Sequence, residues 1–100
     1  MTEEKAFSFL PMPDRSSKPR TKGMTMCLDQ GLGLKNTEDL LTICAEYVDL
    51  WKLGWATTQL QSREIVRKKV ELLRSQNISV CNGGTLLELS EHQGKAEELF

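Results

Sequence analysis

The chain has 100 residues, 39% of them hydrophobic, and a net charge of −1 at neutral pH, which places it with single soluble globular domains. Acidic and basic side chains are mixed along its length, which excludes the basic patch or stripe of a nucleic-acid binder. No stretch approaches the roughly 20 apolar residues of a spanning helix, and an acidic start (Glu3, Glu4) with an apolar run closed by Pro11 is no signal peptide.

Residues Met1 to Lys22 read as an irregular lead-in, because Pro11, Pro13 and Pro19 forbid a regular helix or a central strand. Phe7, Phe9 and Leu10 are expected either to cover one end of a core or to belong to a mobile tail. Gly23 to Leu28 reads as a first strand, mostly apolar as in a parallel sheet covered on both faces. The loop Asp29-Gln30-Gly31-Leu32-Gly33 follows. Thr37 is the expected N-cap of the next helix, with Glu38 and Asp39 in its first turn. Leu40, Leu41, Cys44, Ala45 and Val48 share one face of that helix.

Asp49 to Leu53 is the second strand, and Gly54-Trp55-Ala56-Thr57-Thr58 its turn. Ser62 caps a helix running to about Gln76, with Ile65, Val66, Val70, Leu72 and Leu73 on its apolar face. Arg63, Glu64, Arg67, Lys68, Glu71 and Arg74 form its wet face, and pairs such as Glu64 with Lys68 add only a few tenths of a kcal/mol. Ile78 to Cys81 is the third strand, and Asn82-Gly83-Gly84 its loop. Thr85 to Glu88 matches a capping box, Gly94 a C-terminal stop, and Lys95 to Phe100 the start of another helix. The order is thus β-α-β-α-β-α, with the spacing of roughly 30 residues that βαβ units need. Such alternation predicts an α/β fold of parallel strands joined by right-handed crossovers, the opening part of a longer sheet or barrel. Open sheet edges call for a homo-oligomer or for a partner that supplies the rest.

In a parallel α/β sheet the carboxyl ends of the strands lie side by side and carry the chemistry. Asp29, Lys52 and the Asn82-Gly83-Gly84-Thr85 loop stand there. A carboxylate, an ammonium and backbone N–H groups at a helix start suit an anionic substrate with a metal ion. Each residue also has a plainer reading: Asp29 as a turn cap, Gly83 and Gly84 as a tight turn, Glu88 as a capping residue. Lys52 in an apolar strand must find a partner or open water, which makes it the leading candidate. Trp51 and Trp55 suit core or rim packing. The three cysteines, Cys27, Cys44 and Cys81, lack metal-ligand spacing and are expected to be reduced and mostly buried in a cytoplasmic protein. The single histidine, His92, builds no metal site alone.

Three blocks carry a family resemblance. Lys18-Pro19-Arg20 with Gly23-Met24-Thr25-Met26 and Asp29-Gln30-Gly31-Leu32-Gly33 resembles the opening of the phosphosulfolactate synthase family. So do Tyr47-Val48-Asp49-Leu50-Trp51-Lys52-Leu53-Gly54-Trp55 and Gly83-Gly84-Thr85-Leu86-Leu87-Glu88, in the family's order and spacing. The resemblance implies the first three βα units of a (β/α)8 TIM barrel over residues 23–100, incomplete in this chain. It implies Mg²⁺-dependent addition of sulfite to phosphoenolpyruvate, giving (2R)-phospho-3-sulfolactate, as on one route to coenzyme M. Under that reading Lys52 is catalytic, Asn82, Gly83, Gly84 and Thr85 bind substrate, and Asp29 and Glu88 are metal ligands. The sequence departs from the family at Gln30, where lysine is usual, and at Ala56, Asn82 and Leu87, where glycine, proline and phenylalanine are usual. Loss of a cation at Gln30 keeps open a non-catalytic relative of the heat-stress-associated type, and the length keeps open a split barrel inactive alone.

Overall fold

A computed structural model describes residues 5–99; Met1 to Glu4 of the lead-in and Phe100 of the last helical segment lie outside the described residues. Strands β1 (Met26–Asp29), β2 (Leu50–Leu53) and β3 (Ser79–Asn82) form one parallel sheet in the order β1-β2-β3. Helices α1 (Leu34–Cys44), α2 (Arg63–Ser75), α3 (Gly84–His92) and the single turn α4 (Ala96–Leu99) alternate with or follow them. Because strand order equals chain order, successive right-handed crossovers place their helices on the same side of the sheet.

The packing agrees with that topology. Trp51 and Leu53 of β2, with Cys27 of β1 and Val80 of β3, meet Leu41 of α1 and Leu73 of α2 in one cluster closed by Val48 and Ile78. Side chains alternate across a strand, so Met26, Leu28, Leu50, Lys52 and Cys81 belong to the other face; Leu28, Lys52 and Cys81 are register partners. Met26 and Leu28 are 55% and 46% exposed, so no described element covers that face.

Several boundaries differ from the sequence-based expectation, each for a local reason. Helix α1 begins at Leu34 with Gly33 as N-cap. Thr37, expected as the cap, lies inside the helix, fully buried, and donates its hydroxyl back to the Gly33 carbonyl at 2.9 Å. Helix α3 has Gly83 as N-cap without any side-chain bond. The Thr85–Glu88 capping box therefore does not form, and both residues are exposed. The chain turns at Gly83 because its Cα lies against β2's turn: a Cβ there would stand 2.6 Å from the Trp55 N and O atoms. Ser62 does cap α2, accepting from the Ile65 N–H at 3.2 Å.

The lead-in is tied to the amino ends of the strands by basic side chains. Arg20 is buried, pairs with Asp49 at 2.9 Å and donates to the Ser16 and Glu46 carbonyls. Arg15 donates to the Thr25 hydroxyl at 2.6 Å and the Tyr47 carbonyl at 2.9 Å. Lys18 reaches the Gln76 carbonyl at 2.9 Å, closing the end of α2. Phe7, Phe9 and Leu10 are exposed and cover no core; the cover at that end is ionic, because these arginines reach carbonyls and a carboxylate that apolar rings could not satisfy.

Candidate active site at the carboxyl ends of the strands

Asp29, the last residue of β1, is 1% exposed. Its Oδ1 accepts from the Gly31 and Leu32 N–H groups, both at 2.8 Å, the local turn that aspartate favours. Gly31 completes it with a φ of +104°, which an L side chain rarely adopts. Oδ2 accepts from the Trp51 indole N–H at 3.0 Å and pairs with the Lys69 ammonium. A carboxylate has about four acceptor directions, and all are taken. In this structure Asp29 is the partner of an ion pair, with its acceptor directions turned to Gly31, Leu32, Trp51 and Lys69. Burial alone would raise its carboxyl pKa, but Lys69, Trp51 and the Leu32 and Gly31 N–H groups together hold it below the ordinary carboxylate range.

Lys69 was hidden in the sequence by its neighbours on α2. Four residues from both Ile65 and Leu73, it falls on the apolar stripe of the helix, where its periodicity and not its charge was the signal. It is 1% exposed and donates to the Leu32 carbonyl at 2.7 Å as well as to Asp29.

Lys52 occupies the sheet face away from the helices, half-buried, between Leu28 and Cys81 in register. No hydrogen bond or ion pair holds its ammonium among the described residues, a condition that a half-buried cation keeps only where solvent or an anion reaches it. One register step beyond it, Leu53 aligns with Asn82, which belongs to β3 and not to the loop. Gly83 and the first turn of α3 follow, so Lys52 and the start of that helix stand at the carboxyl ends of two adjacent strands. Gly84 and Thr85 are exposed there. Glu88, further along α3, is exposed too, and the described residues hold no group of three His, Cys, Asp or Glu side chains able to bind a metal.

The two tryptophans divide the roles expected of them. Trp51 is fully buried core; Trp55 is 52% exposed at the rim with a φ of +49°, uncommon for a bulky residue. Burial raises the thiol pKa of Cys27 and of Cys44, which disfavours either as a nucleophile. Cys81, expected to be buried, is exposed on the open face because no described element packs there. No helix among the described residues is long and apolar enough to cross a membrane.

The sequence profile of the (2R)-phospho-3-sulfolactate synthase (ComA) family matches residues 13–100. A phosphosulfolactate synthase of Methanothermobacter thermautotrophicus is 45% identical over 95 residues, 95% of this chain and 36% of that protein. One from Methanocaldococcus jannaschii is 37% identical over 96 residues, covering 96% of this chain and 36% of that protein. Another, from Bacillus subtilis, is 33% identical over 89 residues, 89% of this chain and 34% of that protein. The chain thus spans about a third of the length of these curated relatives. With a profile match over most of its residues, the chain belongs to the (2R)-phospho-3-sulfolactate synthase family.

Proposed function

We propose that this chain supplies the first three βα units of a (β/α)8 barrel that adds sulfite to phosphoenolpyruvate, giving (2R)-phospho-3-sulfolactate. The observation that carries the reading is Lys52: an ammonium without a hydrogen-bond or ion-pair partner among the described residues, on the sheet face that no described element covers, at the same end of the sheet as an uncapped helix start. In a barrel that face is the interior, and its carboxyl end is the mouth where such enzymes act. Consecutive strand order with helices on one side fits an arc of that barrel.

The chemistry asks for cations and N–H donors. The sulfur lone pair of sulfite forms a bond to C3 of phosphoenolpyruvate, and the C2–C3 π electrons move towards C2 and the carboxylate. The resulting enediolate takes a proton at C2. Lys52 neutralises the developing charge and delivers that proton. The N–H groups at Gly84 and Thr85, with the positive end of the α3 dipole, hold the phosphate or carboxylate. Magnesium, when bound, supplies Lewis acidity towards the substrate carboxylate. The described residues hold no cluster of three candidate ligands for it, so in this reading the remaining length supplies at least part of the set.

The test uses protein that joins this chain to the remaining length found in its relatives. Given phosphoenolpyruvate, sulfite and magnesium, it should form a sulfonated product detectable by mass. Substitution of Lys52 by alanine should lower turnover by roughly 10²- to 10⁴-fold, the span of a lost proton donor. Native turnover in that variant would remove Lys52 from the mechanism.

A further inference from the structure

We propose that Lys69 and Asp29 form a positioning pair that fixes Lys52 and the β1–α1 loop at the mouth of the site, an inference that rests on the reading of Lys52 as the reacting cation. Lys52 lies between two residues that both grip Asp29. On one side the Trp51 indole N–H donates to Asp29 Oδ2 at 3.0 Å; on the other the Gly54 N–H donates to the Asp29 carbonyl at 2.7 Å. A Cβ at Gly54 would come within 2.2 Å of that carbonyl oxygen, so the approach needs glycine. Lys52 points to the opposite face of the same strand and is held from behind.

The same carboxylate sets the loop. Asp29 Oδ1 fixes the Gly31 and Leu32 N–H groups, and Lys69 fixes the Leu32 carbonyl and Oδ2 together. The loop also leans on β2's turn, where Gln61 donates to the Gly31 carbonyl at 3.3 Å. Lys69, at 1% exposure, reaches no substrate and acts only through Asp29 and Leu32. Stability does not explain the charges, since an apolar pair of similar volume often holds a helix on a sheet as well or better than a buried ion pair. An apolar pair, however, has no acceptors for the three N–H groups that Asp29 engages. The charge is needed for geometry.

The experiment compares the paired variant Asp29→Asn/Lys69→Met with Asp29→Asn alone, in protein joined to the remaining length of its relatives. Amide hydrogen exchange at Gly31 and Leu32 is read against the β2 amides, alongside kinetics with phosphoenolpyruvate and sulfite. Expected is exchange at least about tenfold faster at Gly31 and Leu32 with β2 protection retained, and kcat about 100-fold lower with KM changed far less, as a displacement near 1 Å gives. Native protection at Gly31 and Leu32 in the paired variant overturns the proposal. Equal loss in the loop and in β2 in both variants does so too, because it marks the pair as holding the whole fold. Loop-selective exchange does not depend on turnover, so it supports the positioning pair even in protein inactive towards these substrates, where only the proposed reaction fails.

Discussion

Asp29 and Lys69 make the clearest case for what a single residue does here. With Lys69 replaced by methionine, the buried Asp29 carboxylate keeps its N–H donors but loses its countercharge. Breaking one partner of a buried pair typically destabilises by about 3–5 kcal/mol, so Lys69→Met should lower the urea midpoint of unfolding markedly. The pH dependence follows from the same contacts. In the folded chain the Asp29 pKa lies below its unfolded value of about 3.9. Its stabilisation is therefore fully present above that value and is lost as pH falls through the folded one. Without Lys69 the largest influence, burial, acts with less opposition and pushes the carboxyl upwards. Acid unfolding of Lys69→Met, followed by circular dichroism, should begin at higher pH than in the parent chain; an unchanged acid midpoint would contradict the role given to this cation.

Gly83 carries a different constraint, one of distance and not of φ. Its would-be Cβ lies 2.6 Å from the Trp55 backbone and 2.8 Å from the Leu53 carbonyl, none of which is a flexible side chain. Gly83→Ala must push α3 away from β2 and is expected to destabilise by about 1–3 kcal/mol, as overpacking does. Gly84 has nothing within 4 Å of a built Cβ and a helical conformation, so Gly84→Ala should be tolerated. A thermal melt of the two variants side by side checks the contrast, and equal loss in both would refute it.

At the scale of elements, the three βα units were legible because each strand is a short apolar run followed by glycine-bearing loops. Ser62 and the apolar stripe of α2 were legible too, since a cap and a 3.6-residue period are local signals. Ser62→Ala should cost about 1 kcal/mol, read by chemical denaturation. The cap at Thr37 was misread because tertiary geometry supplied a better start: the Asp29 turn delivers the chain to Gly33 already reversed. The box at Thr85 failed for the same kind of reason, since the fit of Gly83 against Trp55 decides where α3 begins. The Arg20–Asp49 pair was not legible, and of Lys69 only its place on the apolar stripe of α2 was, not its partner. Their partners are 29 and 40 positions away in sequence, and no local pattern announces a charge that a distant residue will neutralise.

At the scale of the whole molecule, one sheet face is built and the other is left uncovered by the described residues. Helices α1 and α2 bury Trp51 and Leu53, while Met26, Leu28 and Cys81 stand exposed around Lys52. Strands β1 and β3 have no further partner among the described residues, and such edges pair readily with other chains. The 100-residue chain in isolation should therefore self-associate in a concentration-dependent way through this apolar face. A charge placed there opposes burial, so Leu28→Glu should shift the sedimentation profile towards monomer with little change in helix content, because Leu28 makes no part of the Trp51 core. The same substitution in protein carrying the full length of its relatives should be far more harmful. In the proposed barrel that face is the interior, where a lone buried carboxylate beside Lys52 would either pair with that cation or prevent closure. A variant that stays as associated as the parent chain, and that leaves the longer protein unaffected, would mean that this face is not the one the rest of the barrel covers.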